Sequence, residues 1–204
     1  TVVVVSLVLL VLVSVIMATQ VFAEEEPIRN PLPEICYIED DTALLFLNQY
    51  HWTRANVVSD WAGSSHKSTK SLLLEAKHVG DWPLIKMYAW HEYSFETDWS
   101  EYDYFVVDIC VPDKGLMNPE KRDLVVMLEF CDTSQPNWTE RAVYRKLLLA
   151  VFGEETRLIV PLREIEENSD VRLSFIDVWA LQIQSTGSFA VYVDNIMLAK
   201  EGEL

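Results

Sequence analysis

From residue 43 onward the chain repeats one pattern: a short run rich in β-branched and aromatic residues, a polar turn, then another run. The runs cover residues 43–48, 55–60, 71–77, 84–93, 104–111, 124–131, 142–151, 156–162, 178–184 and 189–198. With only six glycines in the chain, the turns between them lean on Asp, Asn and Ser. Residues 162–168 (LREIEEN) form a helical turn or two after Pro161, whereas 142–151 contains helix formers but has the length and setting of a strand. No long helical period, no strand–helix alternation and no internal repeat appears. About ten short strands in roughly 160 residues specify an all-β, antiparallel two-sheet sandwich.

Successive side chains of a strand point to opposite faces, so single runs can be sorted by parity. Between residues 82 and 93 the odd positions are Pro83, Ile85, Met87, Ala89 and His91, a modest core face. The even positions are Trp82, Leu84, Lys86, Tyr88, Trp90 and Glu92. Large aromatics beside charges on one sheet face mark a binding platform. In 104–111 the apolar face is Phe105, Val107, Ile109 and Val111, opposite Val106, Asp108 and Cys110. Likewise Val126, Leu128 and Phe130 oppose Met127, Glu129 and Cys131, and Trp179, Leu181 and Ile183 oppose Ala180, Gln182 and Gln184. If one sheet gathers these runs, its outer face presents Tyr88, Trp90, Asp108, Glu129 and Gln182.

Residues 2–16 are almost purely apolar, and Val21 and Ala23 are small enough for the −3 and −1 positions of a signal-peptidase site. Residues 1–23 therefore read as a signal peptide incomplete at its start, the alternative being a retained membrane anchor. The apolar run is short for a bilayer span of roughly 20 residues. Residues 24–41 are an acidic, proline-bearing lead-in, 42–200 the sandwich, and 201–204 an acidic tail. The first 23 residues carry no charge, so the net charge of −16 belongs to the remainder. That balance argues against nucleic acid and against anionic membrane surfaces as partners. Cys36, Cys110 and Cys131 are an odd set with no zinc spacing, and they read as strand residues. Cys110 and Cys131 end neighbouring runs and are candidates to share a face. Asn137-Trp138-Thr139 is a glycosylation sequon in a eukaryotic secretory chain.

Several phrases occur in an order that resembles carbohydrate-binding modules of the galactose-binding-like jelly-roll fold. They are HKSTKSLLLEA (66–76), WPLIKMYAW (82–90), DWSEYDYFVVDICVP (98–112), FGEETRLIVPL (152–162) and VYVDNIMLAK (191–200). The resemblance spans about 43 to 200, and 98–112 and 191–198 are its sharpest parts. It implies a jelly roll, a glycan ligand and a structural calcium ion held by Asp194 with acidic residues near the first strand. Where the family commonly has Phe-Glu this chain has Phe46-Leu47, so Glu39 and Asp41 are the substitutes. The physics of the phrases agrees. Trp99 and Tyr102 can plug one end of a sandwich, Pro112 stops a strand, and Asp194-Asn195 breaks the alternation at a turn or bulge.

The expected function is non-catalytic glycan binding outside the cell, with Trp82, Lys86, Tyr88, Trp90, Glu92, Asp108, Glu129 and Gln182 as ligand contacts. Sugar C–H faces pack on aromatic rings, and hydroxyls meet carboxylates and amides. The same face suits a protein partner, as in an extracellular scaffold module. A glycoside hydrolase is the third reading, with Asp108 and Glu129 as its carboxylate pair. The four histidines make no HExxH spacing, and neither a GxSxG elbow nor a phosphate loop is present.

Overall fold

The computed structural model describes residues 34–36, 38–39, 44, 47–64, 68–76, 83–89, 95–112, 123–132, 141–149, 152–185 and 187–204. In chain order the described strands are β1 (Glu34–Cys36), β2 (Asn48–Tyr50), β3 (Arg54–Val58), β4 (Ser71–Ala76), β5 (Leu84–Tyr88) and β6 (Tyr104–Cys110). They continue as β7 (Asp123–Asp132), β8 (Ala142–Leu149), β9 (Glu155–Pro161), β10 (Ile176–Gln184) and β11 (Phe189–Ala199), with the short helix α1 (Leu162–Glu167) between β9 and β10. One sheet has the order β3-β4-β11-β6-β9, with β1 pairing the far end of β11; the other has the order β2-β5-β10-β7-β8. Every pairing between these strands is antiparallel. The chain is the two-sheet β-sandwich that its alternation demands, and α1 falls where LREIEEN predicts a turn or two.

The inner faces follow the expected parity. Phe105, Val107 and Ile109 of β6 are buried in the same core as Val126, Leu128 and Phe130 of β7 and Trp179, Leu181 and Ile183 of β10. Ile85 and Met87 of β5 join them. The centre is aromatic. Trp99 is fully buried, with ring centroids 5.6 Å from Phe105 and 5.2 Å from Phe130, while Phe105 stands 6.1 Å from Trp179. Phe105 belongs to one sheet and Phe130 and Trp179 to the other, so this cluster joins the layers. Trp99 Nε1 donates to the Glu96 carbonyl at 2.5 Å, which satisfies its one polar atom.

β11 keeps both halves buried by breaking its own alternation. Val191 and Val193 face the core, then Ile196 and Leu198 do. Its register against β6 shifts between Asp194 and Met197, and Asn195 has a left-handed φ of 48°. An inserted residue of this kind is a β-bulge, and Asn is among the few side chains that tolerate that region. This is the break predicted at Asp194-Asn195.

Two expectations change. The lead-in, read as aperiodic, contributes β1, which pairs with Met197 and Ile196 of β11. Cys110 and Cys131 lie in different sheets, because the chain crosses the sandwich between β6 and β7 instead of turning back as a hairpin. Both thiols are buried, and burial pushes Cys131 up to about 11, well away from thiolate chemistry. The apolar leader, the sequon and the tryptophans at 82 and 90 lie outside the described residues. Among the described residues no helix is long and apolar enough to cross a membrane.

Emptying the aromatic centre tests this description. Trp99→Ala should cost roughly 3–5 kcal/mol, the range for a large buried aromatic, measured by chemical denaturation. A loss below about 1 kcal/mol would contradict the packing.

Candidate functional site

The five-stranded sheet turns a ladder of side chains away from the core. One row crosses Tyr50 of β2, Leu84 of β5, Gln182 of β10, Met127 of β7 and Arg145 of β8. The next crosses Lys86, Ala180, Glu129 and Val143. Tyr88, Val178 and Cys131 begin a third. Small Ala180, itself buried, sits between Lys86 and Glu129. A depression of about 400 Å³ opens over Leu84, Gln182, Met127, Glu129, Val143, Arg141 and Arg145. Beside it, Lys86 Nζ lies 4.6 Å from the ring centroid of Tyr88 and 5.2 Å from that of Tyr50. The cation is held between two π faces, which also holds both rings in place.

Glu129 and Gln182 are therefore on one face with Lys86 and Tyr88, as the alternation predicts. Glu129 does not act as an open acceptor. Its Oε2 lies 2.8 Å from Arg141 Nε, with the carboxylate side chain 5% exposed and the guanidinium side chain 28% exposed. The more exposed partner is the cation. Arg145 Nε donates to Met127 Sδ at 3.2 Å, and this guanidinium pairs with no carboxylate among the described residues. Neither arginine was singled out by the sequence pattern. The signal was available in β8, where Val143, Arg145 and Leu147 share a parity opposite to the buried Ala142 and Leu148. Among the predicted contacts, Trp82, Trp90 and Glu92 lie outside the described residues.

Asp108 is a correction. Its strand β6 belongs to the six-stranded sheet, so it sits on the far side of the sandwich from Glu129. It is completely buried, and Arg157 grips it bidentately, Nε to Oδ1 at 2.8 Å and Nη2 to Oδ2 at 3.1 Å. Asn195 Nδ2 also donates to its Oδ2 at 2.7 Å. Asp108 with Glu129 is thus no carboxylate pair. The segment 61–64 closes over this spot. The Trp61 ring stacks on Tyr192 at 5.8 Å, Gly63 N donates to Asp194 Oδ2 at 2.7 Å, and Ser64 bonds Glu155. The outer face of the six-stranded sheet is thereby covered by the chain itself at this place.

Of the candidate metal residues, Asp194 lies under this cover and Glu39 is tied to residues 68–70. Burial pushes Asp194 up to about 6, against the pull of the Gly63 and Asn195 amides. Glu39 Oε1 accepts from Ser68 Oγ and Thr69 N, its Oε2 accepts from Thr69 Oγ1, and Lys70 Nζ donates to its carbonyl at 2.6 Å. Calcium takes six to eight oxygens, and Glu39 offers none that is not already accepting. Among the described residues no group of three or more His, Cys, Asp or Glu could hold a metal ion. Asp41 lies outside them. The oxygens of Glu39 fasten the turn at Ser68, Thr69 and Lys70.

No family model matches the chain, and no curated protein matches it. Solved structures do. An exo-β-agarase superposes with a TM-score of 0.59 at 18% identity, over 83% of this chain and 25% of the agarase, so the chain spans about a quarter of that enzyme. A family 28 carbohydrate-binding module specific for non-crystalline cellulose gives 0.56 at 14% identity, over 83% of this chain and 97% of the module. A family 11 module from Clostridium thermocellum, in complex with a β-1,3-1,4-mixed-linked tetrasaccharide, gives 0.52 at 16%, over 84% and 98%. The fold is that of these jelly-roll modules.

The covered cluster has a sharp steric test. A Cβ on Gly63 would stand 2.1 Å from Asn195 Nδ2 and 2.9 Å from Asp108 Oδ2. Gly63→Ala should therefore destabilise by at least about 1–3 kcal/mol in a denaturant titration. A neutral substitution would show that the segment does not lie where described.

Proposed function

We propose that the outer face of the five-stranded sheet binds a carbohydrate chain without cutting it. The observation that carries this reading is the depression over Leu84, Gln182 and Met127, flanked by Tyr50, Lys86 and Tyr88. Apolar floor and tyrosine rings offer surfaces for sugar C–H faces, while the Gln182 amide and the guanidinium groups offer partners for hydroxyls. The jelly-roll modules that share the fold are described as binding cellulose or a mixed-linked tetrasaccharide, which supports the same use of the sheet here. Glycoside hydrolysis needs two carboxyl groups flanking the bond. Of the described residues lining the depression, Glu129 alone carries a carboxylate, and Arg141 neutralises it. The apolar segment at 2–16 supports placing this activity outside the cytoplasm.

A protein partner is the second reading. It is favoured by Val143 and Leu147, 46% and 66% exposed on the same face of the edge strand β8.

Affinity electrophoresis and isothermal titration against mixed-linked β-glucan, non-crystalline cellulose and agarose test the first reading. At least one should bind, and Tyr88→Ala or Gln182→Ala should weaken it about ten-fold, the equivalent of roughly 1.4 kcal/mol. Retention of no glycan at all would leave the protein-partner reading. This function is proposed to need no calcium. Melting in a few millimolar calcium and in chelator should then agree within about 1 °C, whereas tight binding to the folded state would raise the midpoint by several degrees.

A further inference from the structure

The charge on the proposed sugar-binding face is opposite to the charge of the chain. The chain carries 32 acidic against 16 basic residues. Yet, among the described residues, the charged side chains lining the depression are Arg141 and Arg145 against Glu129, with Lys86 on its flank. Glu129 is spent on Arg141 and lies beneath it, since the guanidinium is the more exposed partner. Arg145 is exposed and has no described carboxylate to neutralise it, although Glu164 of α1 lines a smaller neighbouring cavity with it. From Lys86 on β5 to Arg145 on β8 there are three strand intervals, about 14 Å. A chain lying across the strands would meet positive charge along that whole path.

A planar guanidinium matches carboxylate and sulfate oxygens two at a time, and it is worth most where an apolar floor reduces competition from water. The floor here is Leu84, Met127 and Val143. At physiological salt, charges more than about 8 Å apart are largely screened, so the acidic remainder of the surface does not cancel this local field. We infer that the ligand is an anionic glycan, its carboxylate or sulfate groups received by Arg145, Arg141 and Lys86. This rests on the carbohydrate reading above and narrows it to acidic sugars.

The full chain is titrated with neutral agarose oligosaccharides, with polygalacturonate for carboxylate and with a carrageenan for sulfate, at about 50 and about 500 mM NaCl. An anionic glycan should bind at least ten-fold more tightly than agarose at low salt, and that preference should shrink at high salt. Which of the two anions wins identifies the group. Arg145→Gln should reduce the anionic-to-neutral affinity ratio about ten-fold, and Arg145→Lys should reduce it less. Arg163→Gln, which removes one charge from exposed α1, should leave the ratio unchanged. Equal, salt-insensitive affinity for neutral and anionic glycans overturns this inference and leaves the carbohydrate reading standing. Binding of none of these glycans, nor of the neutral ones named above, overturns both.

Discussion

Everything on the surface follows from the aromatic contact between the layers. Phe105 reaches in from β6, Phe130 and Trp179 reach in from β7 and β10, and Trp99 fills the space between them. With these rings fixed inward, period-2 geometry leaves Glu129, Ala180 and Gln182 facing outward. A one-residue slip of β10 would turn Trp179 to solvent and Gln182 to the core, so core and proposed binding face hold one another in register. The sandwich is stabilised by apolar burial, and the position of its polar groups is a consequence.

Parity is local, and the sequence shows it well. Ile85 and Met87 inward with Lys86 and Tyr88 outward follow from the residues alone. Sheet membership is a long-range property that alternation cannot encode. Asp108 and Glu129 have the same local setting, an acid flanked by buried apolar neighbours, yet they lie on opposite sides of the molecule. The crossing between β6 and β7 decides that, and nothing in either strand announces it. Arg145 was legible in principle, because β8 alternates; Arg141 precedes its strand and shows itself only through the register that brings it to Glu129. β1 was hidden by its brevity and by the prolines around it.

The two outer faces have become different surfaces. On the six-stranded side, Trp61, Gly63 and Ser64 bring the chain down onto Tyr192, Asp194 and Glu155. Asp108 there is neutralised by Arg157 in a buried ion pair, an arrangement whose loss of one member is costly because it strands the other charge. On the five-stranded side the rows from β5 to β8 form an open depression with cations above an apolar floor. Closure of one face and openness of the other are why the proposed recognition is assigned to the second sheet.

The place of β11 has a consequence for how the molecule comes into being. It lies between β4 and β6 and also carries β1, yet it follows all three in the sequence. While the polypeptide is being synthesised, β4 and β6 leave the ribosome with the gap between them unfilled, their apolar inner residues exposed until the last strand arrives. Such non-local closure is slow, and unfilled strand edges recruit other chains. Assembly of this sheet waits on its final strand, so an interrupted translation product would be a seed for aggregation, with no working fraction of the protein in it.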